Sequence, residues 1–144
     1  MRSKLLKRIS LLIVLVISLS GCSKKYSVEE YNQDALFLNE AMTDVETQFA
    51  DALEIYDKNG CKKWIDESRK NMVDNTITDL GADVVNSAFD MYEFTYDFMV
   101  KNNSLGNTDL MYNHLEELND NSKMRKLNSK HQEAIIALKI SAGY

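Results

Sequence analysis

The chain has 144 residues, of which 44% are hydrophobic, and its formal net charge is −5. That length suits a single domain, and the apolar share is enough to build a core, so a disordered chain is not expected. Residues 1–21 hold four basic residues and no acid, which leaves 22 acids against 13 bases, or −9, on the other 123 residues. Because Lys and Arg bind phosphate backbones, this acidic surface argues against nucleic acid as a partner.

The N-terminus has the organisation of an export signal. A basic segment ends at Arg8, and residues Ile9 to Leu19 form an apolar run interrupted only by serines. This run is far shorter than the roughly 20 apolar residues that a transmembrane helix needs. A short apolar run behind a basic segment is typical of a signal peptide that is removed after export. We therefore expect residues 1–21 to be a cleaved leader, with an uncleaved signal anchor as the alternative.

The leader ends in a four-residue motif made of Leu19, Ser20, Gly21 and Cys22. This motif resembles the lipobox of bacterial lipoproteins, in which small residues precede a cysteine that receives a thioether-linked diacylglyceryl group and becomes the mature N-terminus. The resemblance is confined to the leader and implies that Cys22 carries covalent lipid such as palmitate. Residues 22–26 would then tether a domain of residues 27–144 to the outer face of the cell membrane. Two or more acyl chains, at about 0.8 kcal/mol per buried methylene, would hold it firmly.

An apolar stripe through residues 28–57 predicts the first helix of the domain. Its members are spaced alternately by four and three residues, which a β-strand cannot produce. Ser27 and Glu30 predict a capping box at its start, and Asn59-Gly60 predicts its end. The stripe consists of Tyr31, Ala35, Leu38, Met42, Val45, Phe49, Ala52 and Tyr56.

Two further helices are expected. Apolar periodicity predicts one helix over about 62–101, which could bend at Gly81. It predicts another helix that is capped at Asn107 or Thr108 and could be interrupted at residues 119–122. Long helices joined by short loops must pack antiparallel, so the predicted fold is all-α, an elongated antiparallel three-helix bundle. In that bundle Cys22 holds the start of the first helix at the membrane. The loop at 102–107 would then lie near the membrane, while Asn59-Gly60 would project away from it.

The first predicted helix carries nine acidic residues and no Lys or Arg. One interpretation is intramolecular: Asp51, Glu54 and Asp57 would face the bases at the start of the second helix, in surface pairs of about 0 to 1 kcal/mol each. The other interpretation is an acidic docking face for a basic partner or for cations. Both remain open at this point.

Motifs for catalysis or metal binding are missing. No serine or cysteine lies in a nucleophile motif and no glycine-rich phosphate loop occurs, so we expect no catalytic residues and no enzyme activity. His114 and His131 would be about 25 Å apart on a continuous helix, too far to share a metal ion. We expect no metal site and no cofactor other than the lipid. Cys61 would be the sole remaining thiol, either packed, exposed, or engaged in an intermolecular disulfide.

A cluster of aromatic and Met side chains lies between residues 89 and 99. These side chains point around most of a helix, so they either pack against both neighbouring helices or form an exposed patch of the kind that marks partner sites. In the second case the candidate contact residues are Phe94, Tyr96, Phe98 and, in the following loop, Asn103.

The leading functional hypothesis is a membrane-anchored extracytoplasmic lipoprotein that acts as a protein-interaction or accessory module, with a protein of the cell envelope as its partner. The first alternative is a small envelope enzyme or metal-dependent factor, which a histidine with a shifted pKa in a real pocket would favour. The second alternative assigns the function to the leader, whose released apolar peptide would be a pheromone precursor.

The lipid assignment predicts a sharp difference between the two cysteines. Cells fed a clickable palmitate analogue should label the wild-type chain and the Cys61→Ser variant equally, whereas Cys22→Ser should lose the label, because only the sulfur at position 22 follows the lipobox. In-gel fluorescence measures the incorporation. Equal labelling of Cys22→Ser and wild type would contradict the lipobox assignment.

Overall fold

The structure, a computed structural model, describes residues 25–144. The leader, the lipobox motif and Cys22 lie outside the described residues. Five helices follow one another, and residues 25–144 contain no strand, which confirms the all-α class. The helices are α1 (Val28–Ile55), α2 (Lys58–Asp74), α3 (Asp79–Lys101), α4 (Thr108–Asn119) and α5 (Ser122–Ala142). No helix within this part of the chain is long and apolar enough to cross a membrane.

The helices do not form the predicted three-helix bundle. The chain runs up along α1, down along α2, up along α3 and down again along α4 and α5, which together form an interrupted fourth segment. Helix α3 packs against both α2 and α5, and α5 also packs against α1. The prediction was wrong because the single helix expected over 62–101 is two helices with a chain reversal at residues 75–78. The capping box of Ser27 and Glu30, the start of α4 at Thr108 and the interruption after Asn119 were predicted correctly.

A buried carboxylate fixes the reversal between α2 and α3. Asp34 of α1 is 1% exposed and accepts hydrogen bonds from the backbone N–H groups of Ile77 and Thr78, both at 2.8 Å, and from the Thr78 hydroxyl at 2.6 Å. The Thr78 oxygen in turn accepts from Gly81 N at 3.0 Å, as the N-cap of α3. A Cβ on Gly81 would lie only 2.7 Å from Asp34 Cγ, so glycine is required for this close approach.

The extra reversal inverts the direction of α3 and moves the loop that follows it. Gly106 N donates to Leu53 O at 2.9 Å, so the loop at 102–107 packs on the C-terminal end of α1, far from residue 25. The predicted position of this loop near the membrane-tethered end was therefore wrong. Asn59 and Gly60 do not end the first helix, because they belong to the first turn of α2, which Asp57 caps.

The core is built around stacked aromatic rings. Phe49 of α1 stacks on Tyr92 of α3 with ring centroids 4.6 Å apart and on Trp64 of α2 at 6.0 Å, and Phe89 meets Tyr92 edge-on at 5.1 Å. Such pairs add about 0.5 to 1.5 kcal/mol each beyond their buried area. Cys61 is completely buried below them, and burial raises the pKa of its thiol to about 11. The folded chain therefore offers no accessible thiolate here for an intermolecular disulfide.

Salt bridges connect α2 to α3 and α3 to α5, whereas the sequence predicted salt bridges between α1 and α2. Lys62 pairs with Glu93, Arg69 lies 3.2 Å from Asp90, and the other oxygen of Asp90 lies 3.0 Å from Lys130. Within residues 25–144 no salt bridge involves an acid of α1 or Asp57. The expected pairing of Asp51, Glu54 and Asp57 was wrong because Lys62 and Arg69 of α2 pair with α3, and Lys63 pairs with Glu67 of its own helix.

We expect the three hydrogen bonds that Asp34 accepts to dominate the stability of this fold. Asp34→Ala leaves two backbone N–H groups and a hydroxyl without partners and should lower the free energy of unfolding by about 3 kcal/mol or more. Asp44→Ala, an exposed position on the same helix, should change it by less than about 0.5 kcal/mol. Urea unfolding followed by circular dichroism measures the free energy of unfolding of both variants. Equal unfolding midpoints would contradict the stabilising role of the Asp34 hydrogen bonds.

Candidate functional site: a groove between α1, α3 and α5

A groove of about 430 Å³ opens between α1, α3 and α5. Its floor is apolar and combines small side chains, Ala35 and Ala88, with Leu38, Val84 and Ile135. Its rim is polar, because α1 and α5 place amide, hydroxyl and charged side chains at the opening. The rim residues are Asn39, Thr43, Glu46, Asn128, Gln132 and Lys139. An apolar floor with a few polar groups is the usual make-up of a binding pocket, and this volume lies within the range of small-ligand sites.

His131 is the titratable group of the groove wall. Its Nδ1 lies 2.9 Å from Ser87 Oγ, whose hydroxyl donates to the Val84 carbonyl at 2.9 Å. The Ser87 oxygen therefore acts as the acceptor, which puts the proton of the neutral imidazole on Nδ1. Burial lowers the pKa of His131 below its ordinary value, and the Val84 carbonyl and the Glu46 carboxylate act in the opposite direction. The imidazole is thus held neutral and in one tautomer.

Tyr92 adds a second polar group to the groove. The residue is 92% buried, its ring packs in the aromatic core, and it lines the groove beside Glu46. Burial, together with the Glu46 carboxylate, raises the pKa of its hydroxyl well above the ordinary value. Tyr92 therefore stays a neutral phenol that can donate a hydrogen bond at any physiological pH.

The pairing of Ser87 with His131 does not make a catalytic site. Ser87 is 1% exposed and its hydroxyl proton is already donated to the backbone, so its oxygen cannot be presented to a substrate. A nucleophilic serine needs the reverse arrangement, in which it donates its proton to the imidazole. Burial is the main cause of the lowered pKa of His131.

The predicted partner-contact residues do not form a common exposed surface. Tyr96 is buried and its hydroxyl donates to the Lys58 carbonyl at 2.9 Å. Phe94 and Phe98 are half-buried, because Lys123 of α5 lies over the Phe94 ring at 4.6 Å and His114 of α4 meets the Phe98 ring edge-on. Asn103 alone is exposed, in the left-handed conformation with φ of 51°. The aromatic cluster therefore mostly serves packing against α2, α4 and α5.

The groove went unrecognised in the sequence, although two signals mark it. His131 occupies an apolar stripe of α5, four residues before Ile135, and Ala35 and Ala88 are small residues within buried faces of α1 and α3. A polar residue on an apolar face and small residues facing each other both suggest unfilled space. Which helices face one another decides whether that space is continuous, and the three-helix prediction paired them differently.

Neither a metal centre nor a related protein accounts for the groove. No group of three or more potential metal ligands is found in the part of the chain that the structure describes. Searches against protein families, curated proteins and solved structures give no match for this chain. What the described residues define is an all-α bundle with a groove on its side.

The depressed pKa of His131 predicts a pH dependence of stability. The folded protein favours neutral His131, so stability is fully present above the ordinary pKa of 6.5 and is lost as the pH falls through 6.5 towards the folded value. The unfolding free energy of the wild type should therefore drop more steeply between pH 7.5 and 5.5 than that of His131→Gln. Urea titrations across this range test the prediction, and equal pH dependence of the wild type and His131→Gln would contradict it.

Proposed function

We propose that this protein is a lipid-anchored, extracytoplasmic interaction module that binds a protein of the cell envelope through the groove between α1, α3 and α5. The observation that carries the proposal is an open groove with an apolar floor and a polar rim, on the side of a bundle whose sequence also contains a lipoprotein-type leader. The lipid on Cys22 supplies the location, and the groove supplies the contact. No catalytic step is required.

The lining of the groove favours a particular kind of contact. Leu38, Met42, Met91 and Ile135 offer an apolar surface, and methionine side chains adapt to the shape of what they bind. Tyr92 and His131 offer polar groups next to that surface, so a ligand group that combines an apolar body with a hydrogen-bonding end fits best. An apolar or aromatic side chain of a partner protein, inserted with its backbone along the polar rim, has this character.

The charge of the domain supports a protein partner rather than a nucleic acid. The 123 residues after the leader carry −9, and within residues 25–144 the acids of α1 make no salt bridge. Phosphate backbones would be repelled by such a surface. A partner with basic residues beside its apolar anchor would be attracted, which mainly raises the rate of association.

Photocrosslinking at two matched positions on α1 tests the proposal. Thr43 lies on the groove rim, and Thr47 is an exposed residue one turn further along the helix, outside the groove. A benzophenone amino acid at position 43 of the membrane-anchored chain should capture one envelope protein in intact cells, and position 47 should capture it far less.

A variant that fills the mouth of the groove tests the same proposal by preventing binding. Thr43→Trp places an indole at the mouth of the groove and should reduce recovery of the captured protein at least about tenfold, a loss of about 1.4 kcal/mol, whereas Thr47→Trp should have little effect. Unchanged thermal melting of both variants excludes misfolding as the cause. Equal recovery with the two variants would contradict the assignment of the groove as the binding site.

A further inference from the structure

Several large apolar side chains are exposed at the end of the bundle where residue 25 enters. Five large apolar side chains of this end, which we call the terminal patch, are at least half exposed. Ile140 and Tyr144 are the most accessible of them, at 68% and 71%. Clusters of exposed apolar side chains on a soluble domain commonly mark a contact with a partner or a membrane. The terminal patch consists of Val28, Leu36, Ile136, Ile140 and Tyr144.

Two contacts join α1 to the end of the chain at the terminal patch. The Tyr144 hydroxyl donates to Asn32 Oδ1 at 2.8 Å, and a Cβ on Gly143 would lie 3.7 Å from Val28. Val28 and Leu36 lie one turn to either side of Asn32, and Ile136 and Ile140 lie on the same face of α5 as the chain approaches Tyr144. Eight residues of helix cover about 12 Å, so the patch extends about that far along each helix.

The position of the patch in the chain points to the bilayer as its occupant. Lys25, the first described residue, is the third residue after Cys22, and three extended residues reach about 10 Å. Val28 follows Lys25 by another three residues and opens α1. Lipid attached to Cys22 would therefore keep this end of the bundle within contact distance of the membrane surface.

We propose that the terminal patch docks on the phospholipid bilayer, so that the bundle lies tilted with the α1–α5 seam against the membrane. This inference rests on the proposed lipid anchor at Cys22. Ile136 and Ile140 enter the boundary between headgroups and acyl chains, and Tyr144 occupies the headgroup level that tyrosine favours. Lys139 directly precedes Ile140 on α5 and can reach phosphate groups.

The charged residues around the terminal patch indicate which lipid headgroups the docking requires. Glu29, Glu40 and Glu133 are exposed on the same helices and border the patch. Their carboxylates oppose the attraction of Lys139 to anionic headgroups. The contact therefore depends on apolar insertion, and bilayers of neutral phosphatidylcholine are sufficient for it.

Docking has a consequence for the groove. Asn39 and Lys139 line the groove and lie on the α1–α5 seam directly beyond Leu36 and Ile140. A seam held against the bilayer turns the mouth of the groove towards the membrane surface. The partner of the groove is then a membrane protein that presents its segment close to the headgroups.

A fluorescent label at two matched isoleucines tests the docking. Ile140 belongs to the terminal patch, and Ile55, which is 74% exposed, lies at the opposite end of α1. The full lipidated chain with Ile140→Cys or Ile55→Cys is labelled with a nitrobenzoxadiazole maleimide and reconstituted in phosphatidylcholine vesicles. Cys61 is buried and the sulfur of Cys22 carries lipid, so the label reports the introduced position.

Docking predicts a blue-shifted emission at position 140 and quenching by lipids spin-labelled near the headgroup that is at least about threefold stronger than at position 55. Equal quenching at both positions, with intact-mass confirmation of lipid on Cys22, overturns the docking and leaves the proposed anchor standing. An intact mass without lipid on Cys22 overturns both. Energy transfer between differently labelled copies, with no quenching by the lipids, overturns the docking in favour of a second copy of the chain as the occupant.

Discussion

The architecture of this protein depends on one buried carboxylate. Asp34 satisfies two backbone N–H groups and a hydroxyl at the turn between α2 and α3, where the chain must reverse without a proline. The buried N–H and hydroxyl groups of Thr78 would otherwise lack partners, at a cost of about 1 to 3 kcal/mol each. Because Asp34 comes from α1, it also fixes where α3 begins relative to α1. Gly81 lets the two backbones approach closely enough for this contact.

The direction of every later element follows from that reversal. With α3 parallel to α1, the loop at 102–107 must close over the C-terminal end of α1, and α4 and α5 must return towards residue 25. The last helix therefore packs between α1 and α3, and small side chains at Ala35 and Ala88 leave the groove along this three-helix junction. The same path brings Tyr144 beside Asn32, so both ends of the domain meet at the proposed membrane-facing end.

The polar groups beside the groove link α3 to α5 and to α2. Ser87 gives its proton to the backbone and receives one from His131, which makes the pair a fixed structural link between α3 and α5. A few residues further along α3, Asp90 joins Arg69 of α2 to Lys130 of α5. One edge of α5 is thus secured by polar contacts, while its other edge borders the groove and the terminal patch. The polar contacts fix the position of α5 beside α3, and the groove lies next to this fixed part of the bundle.

The sequence by itself determined the features that depend on neighbours along the chain. Helical periodicity, the capping box at Ser27 and Glu30, and the break after Asn119 could all be predicted, because each arises from contacts within about four residues. The lipobox prediction at Cys22 is equally local, although that residue lies outside the described part of the chain.

Only the tertiary structure decided the number of helices and the site. The reversal at residues 75–78 depends on Asp34, which is more than forty residues distant, and residues 62–101 contain no local signal as strong as a proline to mark it. The partners of Arg69, the burial of Tyr96 and the existence of the groove all depend on which helices face each other. A hydrophobic period specifies that a helix has an apolar face, but it does not specify which neighbour covers that face.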